Sequence, residues 1–312
     1  KMFSFLLFST LFVVCVARSG VLYGMDEKSR LIEIDVSTGE QTVKSAPIVG
    51  AETQQLADID QKNNIYYTIL FNLTTKASVL TGWELNTFKR LPNTVKLPFQ
   101  QAAFVGLGQH VKVNQLTGEV VCTGMNGHET NSYLVDPKSG SVKELSGVSL
   151  QLLLGAFSAL RSASQPYLWT SFFNPTTRAV VAARFDADKK ESPLVKPNTY
   201  IIEAGAYSMK QDKIYGMGIQ VVNHTFSRPL IQMDPVTGEQ TILSHAKGFE
   251  IIQASEATFA EDTNILYTVM NKQLKSSEFY LVGINVKTYA VTSVKLFDET
   301  HGLAVWSLNY KN

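Results

Sequence analysis

Six polar residues recur at nearly one spacing along this chain of 312 residues: Glu52, Gln101, Gln151, Glu203, Glu256 and His301. The intervals between them are 49, 50, 52, 53 and 45 positions. Their contexts are GAETQQLAD, FQQAAF, SLQLLL, IIEAGAY, ASEATF and ETHGLAV. In a repeated structure, one polar side chain at a shared place in each repeat builds a ring of convergent oxygens, here with one imidazole. Carboxylates with amide oxygens are the hard ligands that Ca²⁺ prefers, so Glu52, Glu203 and Glu256 are the candidate metal ligands. The plainer reading is that these side chains solvate the mouth of a channel, since short loops offer many polar residues to choose from.

The elements that must position such a ring are legible in Leu31 to Ser45, LIEIDVSTGEQTVKS, which nearly returns at Leu230 to Ser244 as LIQMDPVTGEQTILS, with nine of fifteen positions identical. Alternating apolar residues, then Asp-x-x-Thr-Gly, then a second polar-apolar run predict a β-hairpin. Weaker copies surround Glu84, Asp136, Asp186 and Asn285. From Asp35 through Glu84, Asp136, Asp186 and Asp234 to Asn285 the intervals are 49, 52, 50, 48 and 51. A period near fifty built of strands and turns predicts a β-propeller with one blade per repeat. Upstream of each turn lies an aromatic or β-branched strand: Val21–Gly24, Ile65–Thr68, Val120–Thr123, Tyr167–Thr170, Ile214–Met217 and Ile265–Thr268. A smaller apolar strand precedes it, as at Leu56–Ile59 and Ala257–Ala260.

The expected fold is therefore all-β, a six-bladed propeller of four-stranded antiparallel blades. The first blade lacks an inner strand of its own, and the C-terminal stretch Gly302–Leu308 is expected to supply it and close the ring. Residues 1–19 read as a secretory signal peptide and residues 20–312 as a single propeller domain. The apolar run FSFLLFSTLFVVCV is too short for a bilayer and leads to Ala17-Arg18-Ser19, a small-x-small cleavage pattern. Secretion makes Asn72-Leu73-Thr74 and Asn223-His224-Thr225 glycosylation sequons, with Asn72 and Asn223 as acceptors. Cys122 is then the one cysteine left after processing; in EVVCTG it is expected to be a small core residue.

Lysine and arginine number 28 against 27 aspartates and glutamates, with no long block of either sign, which excludes nucleic acid and acidic membranes as expected partners. No Gly-x-Ser-x-Gly elbow, HExxH or phosphate loop occurs. His110, His128, His224 and His245, placed in turns or beside a sequon, lack a cysteine or carboxylate at ligand spacing.

The [D/N]-x-x-[T/S]-G motif with an upstream Y-[G/T] resembles six-bladed propellers at large, in particular secreted YncE-like and NHL-like ones, across residues 20–312. The polar ring is more weakly similar to SMP-30 and paraoxonase-type lactonases, calcium-dependent six-bladed hydrolases. Those families use Glu, Asn and Asp; this ring has Gln where they have Asn, and no Asp. The expectation is a secreted, non-catalytic propeller, binding or extracellular matrix-associated, with an extracellular protein, glycan or small molecule as partner. Two alternatives stand beside it: a calcium-dependent lactonase or esterase using the central channel, and a structural component of an extracellular matrix or skeletal deposit.

Overall fold

A computed structural model describes residues 21–99, 110–115, 117–126, 129–149, 167–174, 179–186, 194–197, 200–222, 225–227, 229–245, 257–271, 278–296 and 301–306. These residues form six antiparallel sheets whose neighbours succeed one another around a ring. Sheet 1 holds His301–Trp306, Val21–Met25, Leu31–Ile34 and Gln41–Val43, from the axis outward. Sheet 2 holds Ala51–Asp60, Ile65–Asn72, Ala77–Glu84 and Lys89–Arg90, with Val95–Lys96 also paired to its third strand. Sheet 3 runs His110–Val113, Val120–Asn126, Glu129–Asp136 and Ser141–Ser149. Sheet 4 has three strands, Tyr167–Asn174, Ala179–Asp186 and Leu194–Pro197. Sheet 5 comprises Ile201–Ser208, Lys213–Val222, Pro229–Met233 and Gln240–His245, plus Thr225–Ser227 against the end of its second strand. Sheet 6 comprises Ala257–Ala260, Ile265–Asn271, Phe279–Asn285 and Val291–Lys295.

The described residues thus hold five complete blades, not the six expected from the repeat. Sheet 4 lacks an inner strand among them because residues 150–166, where the repeat puts it, fall outside the described residues. The expected closure of blade 1 is present: Val21 pairs with Trp306, Leu22 with Val305 and Tyr23 with Ala304.

Why the strands differ along a blade follows from their surroundings. Ile65–Asn72 and Ala77–Glu84 lie between neighbouring sheets and are buried on both faces, which suits their aromatic and β-branched residues. The outer strand of sheet 2, Lys89–Arg90, is short, and its charged side chains discourage pairing with another chain. The core sits in the seams. Tyr23, Met25, Ile59, Tyr66, Leu70 and Trp83 fill the seam between sheets 1 and 2. Tyr67, Leu80, Phe99, Val120, Cys122 and Tyr133 fill the next. Burial of each large side chain contributes roughly 1.5–3 kcal/mol. Cys122 is a core residue as expected, and burial pushes its thiol pKa far up. No helix among the described residues is long and apolar enough to cross a membrane.

Candidate functional site

Topology gives the ring two unlike faces. Turns from first to second strand and from third to fourth emerge on one face. Turns from second to third strand, and the loops leading into the next inner strand, emerge on the other. The three of the six polar residues that are described belong to the second face. Glu52 is the second residue of its inner strand and is exposed; Glu203 is the third residue of its own; His301 begins the inner strand of sheet 1. Backbone placement therefore brings these three to the same end of the channel wall. Gln101, Gln151 and Glu256 lie outside the described residues.

Equal spacing in sequence does not give equal height. Tyr67, Tyr215 and Tyr23 are each the third residue of a second strand and mark one level. Glu52 stands opposite Phe71, four residues beyond Tyr67, while His301 stands opposite Met25, two beyond Tyr23. Glu203 lies in a bulge between residues paired to Met217 and Gly218. Glu52 is thus one or two residues, about 3–7 Å, further toward the loop face. The cause is strand length: Asp58, opposite Tyr67, lies six residues after Glu52, whereas Ala206 and Ala304, opposite Tyr215 and Tyr23, lie three after Glu203 and His301; a bulge in which Gln54 pairs with Ile69 but Ala57 with Thr68 takes up two of the six. Among the described residues no three His, Cys, Asp or Glu side chains come together as metal ligands. Of the three candidate carboxylates, that of Glu52 is exposed among the described residues, and one carboxylate fits a calcium site only in part.

On the opposite face the acidic residues already have work. Asp35 Oδ1 accepts the N–H groups of Ser37 at 2.7 Å and Thr38 at 3.1 Å, and the Ser37 hydroxyl at 2.6 Å. These bonds, the Ser37 hydroxyl first, hold its pKa below the ordinary carboxylate value. Asp136 and Asn285 repeat the pattern, accepting from Lys138 N and from Lys287 and Thr288 N. Asp234 accepts from Val236 and Thr237 N and pairs with Lys213 at 2.8 Å. Burial pushes the Asp234 carboxyl up, but Lys213 and the turn N–H groups outweigh it and hold the pKa at about 2. Gly39 and Gly238 take φ of +76° and +72°, the left-handed turn position that glycine tolerates.

Polar side chains also reach across seams on this face, Glu261 and Gln115 among them. Glu261, buried, accepts the Ser208 hydroxyl at 2.8 Å and Met209 N–H at 2.6 Å from the neighbouring blade. Burial raises its pKa despite these bonds. Gln115 accepts from Gln61 N and donates to the Ile59 carbonyl at 2.7 Å. Sequence reasoning missed both. Gln115 lies in Asn114-Gln115-Leu116-Thr117-Gly118, a copy of the hairpin motif placed between first and second strands, and that motif was the available signal. His110 begins an inner strand and His245 ends an outer one, rather than lying in turns.

No family model and no curated protein sequence matches the chain. Solved structures do match in shape. A chain of the nidogen/laminin complex superposes with a TM-score of 0.66 at 8% identity, covering 92% of this chain and 98% of that one. TolB from Acinetobacter baumannii gives 0.64 at 13% identity over 93% of this chain and 67% of that one. The GH74 xyloglucanase from Xanthomonas campestris gives 0.56 at 11% identity, over 89% and 44%. One architecture hosts many unrelated functions, so likeness at such low identity carries the fold alone. The chain is a β-propeller.

Proposed function

We propose that this protein is a secreted, non-catalytic binding propeller of six four-stranded blades, associated with extracellular matrix, and that its partner is an extracellular protein, glycan or small molecule. In this reading residues 1–19 are removed as a signal peptide, residues 20–312 form the ring, and Asn72 and Asn223 carry glycans. Asn72 ends the second strand of sheet 2 at a turn on the loop face, a suitable place for a glycan; Asn223 lies outside the described residues.

The observation that carries the reading is the use of the repeated carboxylates. Asp35, Asp136 and Asp234 hold turns, Asp58 accepts the Val113 N–H of the next blade at 2.9 Å, and Glu261 clasps a seam. Acid groups so engaged stabilise a rigid platform and are not poised as acids or bases. A chain of the nidogen/laminin complex, alike in fold over 98% of its length, supplies the analogy for a propeller acting through contact with another protein.

Glu52, Gln101, Gln151, Glu203, Glu256 and His301 are proposed as the ligand-facing rim of the channel, with Ca²⁺ at Glu52, Glu203 and Glu256 as the metal variant of that proposal. Purified protein incubated with a γ-lactone and an aryl ester, with calcium and with chelator, is expected to give no turnover above buffer. Calcium-dependent hydrolysis lost in Glu203→Gln would replace this reading with the lactonase or esterase. A calcium-dependent rise in melting temperature without turnover would establish a binding rim that holds the ion.

A further inference from the structure

The seam between sheets 2 and 3 opens outward as a groove of about 480 Å³ lined by Lys96, Leu97, Pro98, Tyr133, Val142 and Glu144. That volume lies in the range of small-molecule sites, roughly 300–1,000 Å³. Two blades build it. Lys96 pairs with Val79, and Leu97 N–H donates to the Ser78 carbonyl at 2.9 Å, so this segment follows the outside of sheet 2. Phe99 then turns inward. Its ring lies 5.8 Å from that of Tyr133 and fills the space a side chain at Gly124 would need. On sheet 3, Val142 stands opposite Val135 and Glu144 opposite Tyr133, so Val142 and Glu144 share the face that lines the groove. Lys143, between them, belongs to the other face. The bulge that skips Leu145 sets Glu144 beside Tyr133.

Two features of this groove ask for a ligand. Among the described residues Lys96 and Glu144 have neither an ion-pair nor a side-chain hydrogen-bond partner, although both line one small space. Val142 is left 36% exposed between them. An anionic or a cationic ligand would satisfy one of the two charges and be repelled by the other. A dipolar one satisfies both.

We propose that the groove binds a small zwitterion of the amino-acid type. Its carboxylate meets Lys96 and its ammonium meets Glu144. Its apolar side chain covers Leu97, Pro98 and Val142 beside the Tyr133 ring. The site is on the outer rim, apart from the channel mouth, and does not depend on the reading given above for that mouth.

The test is a titration of the full-length folded protein with L-phenylalanine, followed by NMR or calorimetry. Saturable binding is expected. Lys96→Met and Glu144→Gln, both at exposed positions, are each expected to weaken it by about two- to five-fold, the scale of exposed charge pairs. N-acetyl-L-phenylalanine amide, which carries neither charge, should bind more weakly than either variant binds phenylalanine. Lys143→Met, on the opposite face, should change nothing. Absence of saturable binding overturns the proposal, as does binding insensitive to both variants or equally weakened by Lys143→Met. Melting curves for all three variants establish that each is folded.

Discussion

The hairpins Leu31 to Ser45 and Leu230 to Ser244 share nine of fifteen residues and fold the same turn, yet the blades around them are built differently. In both, the Asp N–H donates to the carbonyl of the following Glu at 2.9 Å, and the Gly N–H donates back to the Asp carbonyl. Around Asp234, however, the neighbouring sheet closes in: Trp169 Nε1 donates to the Pro235 carbonyl at 2.7 Å, and Arg184 donates to the Val236 carbonyl. Asp35 has an exposed turn and no such clasp among the described residues. Blade 5 is also consecutive in sequence, whereas blade 1 takes its inner strand from His301–Trp306. Local sequence sets the turn, and the neighbours set what it is worth.

The largest expected effect breaks blade 1 and leaves blade 5 whole. Deleting residues 302–312 strips the partner from Val21–Met25 and opens the edge beside Leu22 and Met25, whose burial contributes roughly 1.5–3 kcal/mol each. The truncated protein is expected to be insoluble or to melt far below the intact chain. An unchanged melting temperature would show that the ring closes without this strand.

Next in size are the two turn glycines. Alanine at Gly39 or Gly238 must hold a left-handed φ at a cost of about 1–2 kcal/mol, and its Cβ meets an obstacle in each case. At Gly238 the obstacle is the Trp169 ring at 2.5 Å; at Gly39 it is the Lys295 carbonyl oxygen. A smaller side chain can relieve the first and not the second. In urea melts Gly238→Ala should be partly offset by Trp169→Leu, the pair costing less than the sum of the singles. Gly39→Ala with Val294→Ala should simply add. Additivity in both pairs would contradict the contrast.

A smaller difference concerns pH. Asp234 is held at about 2 against an ordinary value of 3.8. Its folded value is depressed, so its stabilisation is present above the ordinary value and is lost as pH falls through about 2. Lys213→Met should remove about 1 kcal/mol of that stabilisation, since the pair is a third exposed and screened. The melting temperatures of the two proteins should differ at pH 6 and converge near pH 2. Parallel curves over that range would mean the pair contributes no linkage.

The smallest effect is expected at the seam joining blade 5 to blade 6. Glu261 has a raised pKa, so its contribution is present below the ordinary value of 4.5 and is lost as pH rises through the folded value. Glutamine keeps an acceptor for Met209 N–H and can donate to Ser208. Glu261→Gln should therefore lie within about 0.5 kcal/mol of the parent at neutral pH and flatten the acid side of the stability profile. A loss of several kcal/mol would assign the ionised form a larger role.

The hairpins, the second strands and the closing strand were legible because each follows from short-range pattern: alternation, Asp-x-x-Thr-Gly and aromatic runs. The Asn114 to Gly118 turn carries the same letters and was overlooked because it falls between first and second strands, out of phase with the period of fifty. The unequal heights of Glu52, Glu203 and His301 could not be read at all. Only pairing shows how far each lies from its tyrosine level, and only pairing with Ile65–Asn72 reveals Gln55 and Leu56 as surplus residues that narrow the difference. Nor could sequence bring Lys96 and Glu144 together, since forty-eight positions separate them and the seam between two blades joins them.

The join in blade 1 has a mechanical meaning. Val21 and Trp306 face one another, and the ladder runs from them to Met25 and His301. Tension applied through the two flanking segments pulls that ladder open from one end, loading its hydrogen bonds in succession instead of all at once. A strand pulled along its length would share the load among every bond. If this propeller is tethered at both ends, the β-ladder of blade 1 yields first, peeling His301–Trp306 from Val21–Met25 while the other blades are still unloaded.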